Sequence, residues 1–269
     1  SIAQARTMEY AKEMAAKAEA EGANAELKPS KGEYAYTYKD SLLEASFNAL
    51  PKLYTLENSK IKAQFTTRGA QVYQVEIKDY YTYDSLALNL VRGGQSDFGI
   101  EFYTYQMLNT KNFTYDMVSN TDSTLVMRLH FDEDSYLEHS YKLAKDSYQV
   151  DFDFKLVNMD QFISQNATQF DVSWKLNIPR LEKGYDNERN YSTVDYRYPG
   201  GDVENLGLRK ESSSSEITTK LSWFAFQQQF FSAIMRAEQD FSGGNLSYAF
   251  FKEGDPTGNL MQCQANMQI

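Results

Sequence analysis

Ser147-Tyr148-Gln149-Val150-Asp151-Phe152-Asp153-Phe154-Lys155-Leu156-Val157-Asn158 alternates apolar and polar side chains along most of its length. Tyr148, Val150, Phe152, Phe154 and Leu156 fall on one face, and Gln149, Asp151, Asp153 and Lys155 on the other. A period of two belongs to an extended strand with one face on a core and one in water. Thr168 to Ile178 repeats the pattern, with Phe170, Val172, Trp174, Leu176 and Ile178 inward and Gln169, Asp171, Ser173, Lys175 and Asn177 outward. A helix would need apolar residues three and four apart, and neither stretch supplies them.

Working outward, Leu125-Met127-Leu129-Phe131 and Leu137-His139-Tyr141-Leu143 read as a hairpin turning through Asp132-Glu133-Asp134-Ser135. Weaker strands are expected at 60–66, 72–78, 99–105, 194–198, 221–237 and 246–251, and Leu260 to Gln264 reads as one more. The strands recur without a helical spacer long enough for a parallel crossover, so the expected fold is all-β, a large antiparallel β-sandwich. Ser212–Ser215 and Gly184–Asn190 read as exposed loops.

The first residues differ in kind. Glu9 to Glu21 is nearly all strong helix former but its apolar positions are mostly alanine, so it reads as a surface or tethering helix. A polar linker follows around Lys28-Pro29-Ser30-Lys31-Gly32, then alternating Tyr34, Tyr36 and Tyr38, and a helical turn or two within Ser41–Ala49. The division expected is residues 1–50 as tether and linker and 51–269 as the β domain, with no main-core residue before about Leu50. The chain opens at Ser1 without a signal-peptide pattern and stops abruptly at Ile269, which reads as a piece of a longer protein.

Composition narrows the function. A net charge of −10 opposes nucleic acid and anionic lipid, both of which demand clustered Lys and Arg. The 20 Tyr and 17 Phe fit pleated, half-buried surfaces. Tyr80, Tyr81, Tyr83, Tyr103 and Tyr105 also suit a sugar groove or a peptide grip, with ordinary strand packing the plainer reading. No run of about 18 apolar residues occurs. Cys263 is alone, which rules out an intrachain disulfide and reads as a buried thiol in a strand.

No motif carries chemistry. His130 and His139 lack a recognisable third metal ligand. Asp132-Glu133-Asp134 lacks the spacing of a calcium loop, and Asp151 with Asp153 reads as a solubilising face. Neither Gly93-Gly94 nor Gly200-Gly201 opens a phosphate-cradling helix, and no Gly-x-Ser-x-Gly elbow occurs. No catalytic, cofactor or metal residue is expected.

Three stretches resemble one family. Thr67-Arg68-Gly69-Ala70 followed by Val72 to Lys78 looks like the Thr-Arg-Gly-Gly strand opening of the large periplasmic domain of YidC-type membrane-protein insertases. Trp223-Phe224-Ala225-Phe226-Gln227-Gln228-Gln229-Phe230-Phe231 resembles its Trp-x-Ala-x-x-Gln-Gln-(Tyr/Phe)-Phe signature at Trp223, Ala225, Gln228, Gln229, Phe230 and Phe231. Ile178 to Thr193 resembles a loop of one branch, and Ala70 departs from the second glycine. The resemblance implies a β-supersandwich like that of sugar mutarotases, on the periplasmic side of a bacterial inner membrane between the first membrane helix and the insertase core. It implies Sec translocon accessory subunits and nascent membrane proteins as partners, no cofactor, and signature residues that are structural. Trp223, Phe230 and Phe231 are expected in the core or at a sheet junction, Gln228 and Gln229 on backbone groups at a corner, and Arg68-Gly69 at a turn with Gly69 at positive φ. The competing readings are a carbohydrate-binding or mutarotase-like module and an adhesion module working through a bare sheet edge.

Overall fold

The computed structural model describes residues 41–164, 167 and 169–269. The readings on Glu9–Glu21, Lys28–Gly32 and Tyr34–Tyr38 lie outside them. After a helix at Ser41–Asn48, β1 (Leu53–Glu57), β2 (Ile61–Thr66), β3 (Gln71–Tyr81) and β4 (Ala87–Val91) form one sheet in that order. Next come β5 (Ser96–Tyr103), β6 (Met107–Asn109), β7 (Asp116–Asn120), β8 (Thr124–His130), β9 (Tyr136–Leu143), β10 (Val150–Val157) and β11 (Asp171–Pro179). A short helix, Tyr185–Asn190, precedes β12 (Thr193–Arg197), β13 (Val203–Asn205), β14 (Ser212–Ile217), β15 (Leu221–Gln227), β16 (Ser232–Phe241), β17 (Gly243–Phe250) and β18 (Asn259–Gln268). The other sheets run β10-β9-β8-β7, β14-β17-β18-β11-β5-β6 and β13-β12-β15-β16. The strand pairs within them are antiparallel. None of the helices among the described residues is long and apolar enough to cross a membrane.

The six-stranded sheet is the wall shared by two cores. Ile100, Phe102 and Val172 pack with Leu56, Phe65, Leu125, Met127 and Leu137. Farther along the same strands, Leu176, Ile178, Leu246, Cys263 and Met267 pack with Val194, Phe224 and Phe226. Alternation produces this: β18 sends Met261, Cys263, Ala265 and Met267 inward and leaves Gln262, Gln264 and Asn266 on the other side. The result is the β-supersandwich that the resemblance implied, and the alternation of the two central stretches accounts for its antiparallel all-β character.

Several local expectations change. Leu43, ahead of the expected start of the core, is only 1 % exposed and packs in the first cluster. Its helix also brings Phe47, four residues on, against the same cluster and edge-on to Phe113 at 6.2 Å, and one such pair in eight residues is too short a pattern to mark a core helix. Ser212–Ser215 is not a loop but the edge strand β14, in register with Leu246–Ala249; the ladder, not side-chain propensity, makes it a strand. Gly184–Asn190 is not an open loop either, since Glu188 within it is fully buried. The stretch 221–237 is two strands around a turn, closed by the Gln228 N–H donating to the Phe231 carbonyl at 2.8 Å. Finally, β10 has the clearest alternation yet leaves Phe152 and Leu156 partly open, because it is an edge strand.

Candidate functional site

Thr67–Gln71 builds a closed corner between β2 and β3. Arg68 threads its guanidinium among three carbonyls: Nη1 donates to Phe47 at 2.9 Å and Asn112 at 2.7 Å, and Nη2 to Ala49 at 2.9 Å. One side chain thereby holds the end of the first helix and the turn before β7 against the sheet. Gly69 has φ +71°, and a Cβ there would sit 2.9 Å from the Lys111 Cα, so both conformation and space require glycine. Ala70 also has positive φ, +45°. Its carbonyl accepts from the Tyr141 hydroxyl at 2.7 Å and from His139 Nδ1 at 3.1 Å. With its proton on Nδ1, His139 presents Nε2 as acceptor to the Tyr115 hydroxyl at 3.4 Å. Burial pushes the His139 pKa down to about 4, the Ala70 bond opposing it. The ring is therefore neutral and fully committed inside the core.

The 223–231 segment is built differently. Phe224 and Phe226 enter the core, and Trp174 packs on Phe226 with ring centroids 4.7 Å apart. Trp223 and Ala225 alternate to the other face of β15, where Trp223 pairs with Arg197 on one side and Arg236 on the other. Trp223 is half-buried, Ala225 is covered, and Phe230 is 67 % exposed. The core expectation for Phe230 is thus corrected: it sits in a two-strand turn, and its neighbour Phe231 takes the packing position, edge-on to Tyr80 at 5.4 Å. Gln228 is buried and its Nε2 donates to the Pro179 carbonyl at 2.7 Å. The side-chain oxygens of Gln228 and Gln229 are buried without a partner among the described residues.

Two broad hollows lie on the polar side of the six-stranded sheet. One, about 460 Å³, is lined by Ser212, Ser214, Ser247, Gln262 and Gln264. The other, about 330 Å³, is lined by Asp97, Glu101, Lys111, Lys175 and Asn266. Some of their polar groups are paired: Lys111 Nζ donates to Asp97 at 2.9 Å, Glu101 accepts from Asn109 Nδ2 at 2.6 Å, and Gln262 Nε2 donates to Asn177 at 2.9 Å. Neither histidine lines them. His139 faces the core, and His130, three residues from Met127, its partner across the hairpin, lies on the opposite face against Tyr136. The two rings thus lie on opposite faces of the hairpin, and among the described residues no three His, Cys, Asp or Glu side chains are placed to hold an ion.

One titratable group was missed by sequence reasoning. Glu188 is buried; its Oε1 accepts from the Leu181 N–H at 2.9 Å while Oε2 has no partner among the described residues. Burial raises its pKa to about 7, opposed by the Leu181 and Glu182 N–H groups and by Arg180. A carboxylate in a polar Asp-Asn-Glu-Arg run carries no sequence signal of burial.

A family model described as the YidC periplasmic domain matches residues 53–257. The membrane protein insertase YidC of Bacteroides fragilis is 32% identical over 214 residues, 79% of this chain and 34% of that protein. That of Porphyromonas gingivalis is 30% identical over 208 residues, 77% of this chain and 33% of the other. The chain spans about a third of the length of the curated relatives it matches. Among solved structures, a galactose mutarotase-like protein from Lactobacillus casei superposes with a TM-score of 0.51 at 12% identity, over 80% of this chain and 87% of that one. At that identity the likeness is one of fold. With the match over 53–257 on a two-core β-supersandwich, this chain belongs to the family of YidC periplasmic domains.

Proposed function

We propose that the chain is the non-catalytic periplasmic domain of a membrane-protein insertase. It helps insert and fold integral membrane proteins, alone or with the Sec translocon, by contacting Sec accessory subunits and nascent membrane proteins. The expected tether shortens to the residues ahead of the Ser41–Asn48 helix, which packs on the domain through Leu43, and the remainder of the parent supplies the membrane helices at the inner membrane. The observation that carries this reading is the family match over residues 53–257.

The test is photocrosslinking in the full-length parent, with reactive side chains placed at exposed positions across this domain. Recovery of Sec subunits or nascent membrane proteins is expected. Recovery of glycans alone, or mutarotation of aldoses by the isolated chain, would overturn the reading in favour of a sugar module.

A further inference from the structure

Six large apolar side chains crowd two neighbouring turns. Tyr80, Tyr81, Tyr83 and Leu86 lie at and around the β3–β4 connection, Phe230 lies in the β15–β16 connection and Ile234 just past it on β16; all six are exposed among the described residues. The Tyr80–Phe231 ring contact at 5.4 Å joins the two turns into one patch. Charge is depleted in both. Leu221 to Met235 runs fifteen residues without a charged side chain, and Tyr80 to Val91 holds Asp84 alone, in a chain that is 24% charged.

We infer that this paired-turn patch is a bilayer-interface contact, which seats the domain on the zwitterionic headgroup region of the membrane beside it. The inference rests on the proposed function, which puts a bilayer within reach. Three observations select lipid over other occupants. The patch is built on two turns and the strand ends beside them, an arrangement suited to dipping into a surface rather than to enveloping an apolar helix. Three of its six side chains are tyrosines, whose rings enter the headgroup layer while their hydroxyls stay wet. The charge of −10 keeps the rest of the surface away from anionic lipid, and the uncharged patch is the part free of that repulsion.

The test uses the 269-residue chain anchored through an N-terminal hexahistidine to phosphatidylcholine vesicles bearing a nickel-chelating lipid. Cys263 is buried, so a single introduced cysteine can be labelled with an environment-sensitive fluorophore in the folded protein. Labels at Phe230→Cys and Tyr81→Cys are expected to shift to the blue and to be quenched by lipids spin-labelled near the headgroup. A label at Val118→Cys, exposed on β7, should do neither. Without the anchor, the triple variant Tyr80→Ser, Tyr81→Ser, Phe230→Ser should bind the vesicles about tenfold more weakly or worse. The inference is overturned if labels at 230 and 118 are equally wet on the vesicle. It is also overturned if position 230 is shielded in proportion to protein concentration without lipid, which indicates a second copy, or only on adding an apolar transmembrane peptide, which indicates a client. Crosslinking to Sec subunits alongside a wet position 230 would reject this patch and leave the proposed function standing.

Discussion

The corner at Thr67–Gln71 and the segment at Trp223–Phe231 both carry family-like motifs, and they are built on opposite plans. In the corner Arg68 is held by three carbonyls, Gly69 is fixed by crowding, and the Ala70 backbone carbonyl takes two donors. In the segment the residues between the signature positions, Phe224 and Phe226, fill the core, while Trp223 is half-covered and Phe230 is open. A motif whose conspicuous residues face away from the core leaves surface available for contact. The comparison therefore separates a motif that holds the fold from one that also presents a face.

The sharpest way to test this is inside the segment itself. Phe224→Ala removes a fully buried ring and should cost about 3–5 kcal/mol. Trp223→Ala, the larger truncation but on the half-open face, should cost only about 1–2 kcal/mol. Urea melts of the two variants give both numbers. If Trp223→Ala proves the more damaging, the indole is a core residue and the contrast with the corner collapses.

Breaking the corner comes next. Arg68→Ala strips charge-assisted hydrogen bonds from three carbonyls and should cost about 3 kcal/mol, discounted for the partial exposure of the side chain. The loss should be local first: amide exchange across 42–50 should accelerate before the strands of the six-stranded sheet respond. Uniform acceleration throughout the chain would show that Arg68 does not act as the clamp on the first helix.

The legibility of these regions differs for physical reasons. Strands β8, β9 and β11 could be read from alternation because one face of each is buried and the other wet. Positive φ at Gly69 was readable because few residues other than glycine tolerate it cheaply. Tertiary contacts were not readable: nothing in Glu188 signals burial, and nothing in four serines signals the ladder that makes β14. Trp223 was expected in the core or at a sheet junction, but which face of β15 met the core depended on Phe224 and Phe226, whose inward placement comes from the pairing of β15 with its neighbours.

Titration distinguishes the corner from the Glu188 pocket. His139 keeps a depressed pKa, about 4 against an ordinary 6.5. Its stabilising contribution is complete above 6.5 and is lost as pH falls towards 4, a span worth at most about 3 kcal/mol. Glu188 runs the other way: raised from 4.5 to about 7, it favours the fold below 4.5 and loses that contribution as pH rises to 7. In the wild type the two slopes oppose each other between about 4.5 and 6.5. Relative to wild type, Glu188→Gln should make stability climb more steeply with pH, and His139→Gln should make it fall across the same window. Melts at half-unit pH steps measure both; variants that keep the wild-type slope would contradict the burial of these groups.

The smallest expected effect is the most discriminating. Phe230→Ala should change stability by less than about 0.5 kcal/mol, because its ring is 67 % exposed and an exposed position is not under cavity or desolvation cost. That near-neutrality has meaning only beside the corner, where Gly69→Ala meets both positive φ and a backbone atom at 2.9 Å. A large aromatic ring kept on a turn at no gain to the fold is a standing aggregation liability. A loss above about 1 kcal/mol in Phe230→Ala would mean that the ring packs in solution, and the segment would then be structural throughout, like the corner. If stability is unchanged while vesicle contact is lost, the ring acts at a surface, and the two motifs differ in purpose as well as in packing.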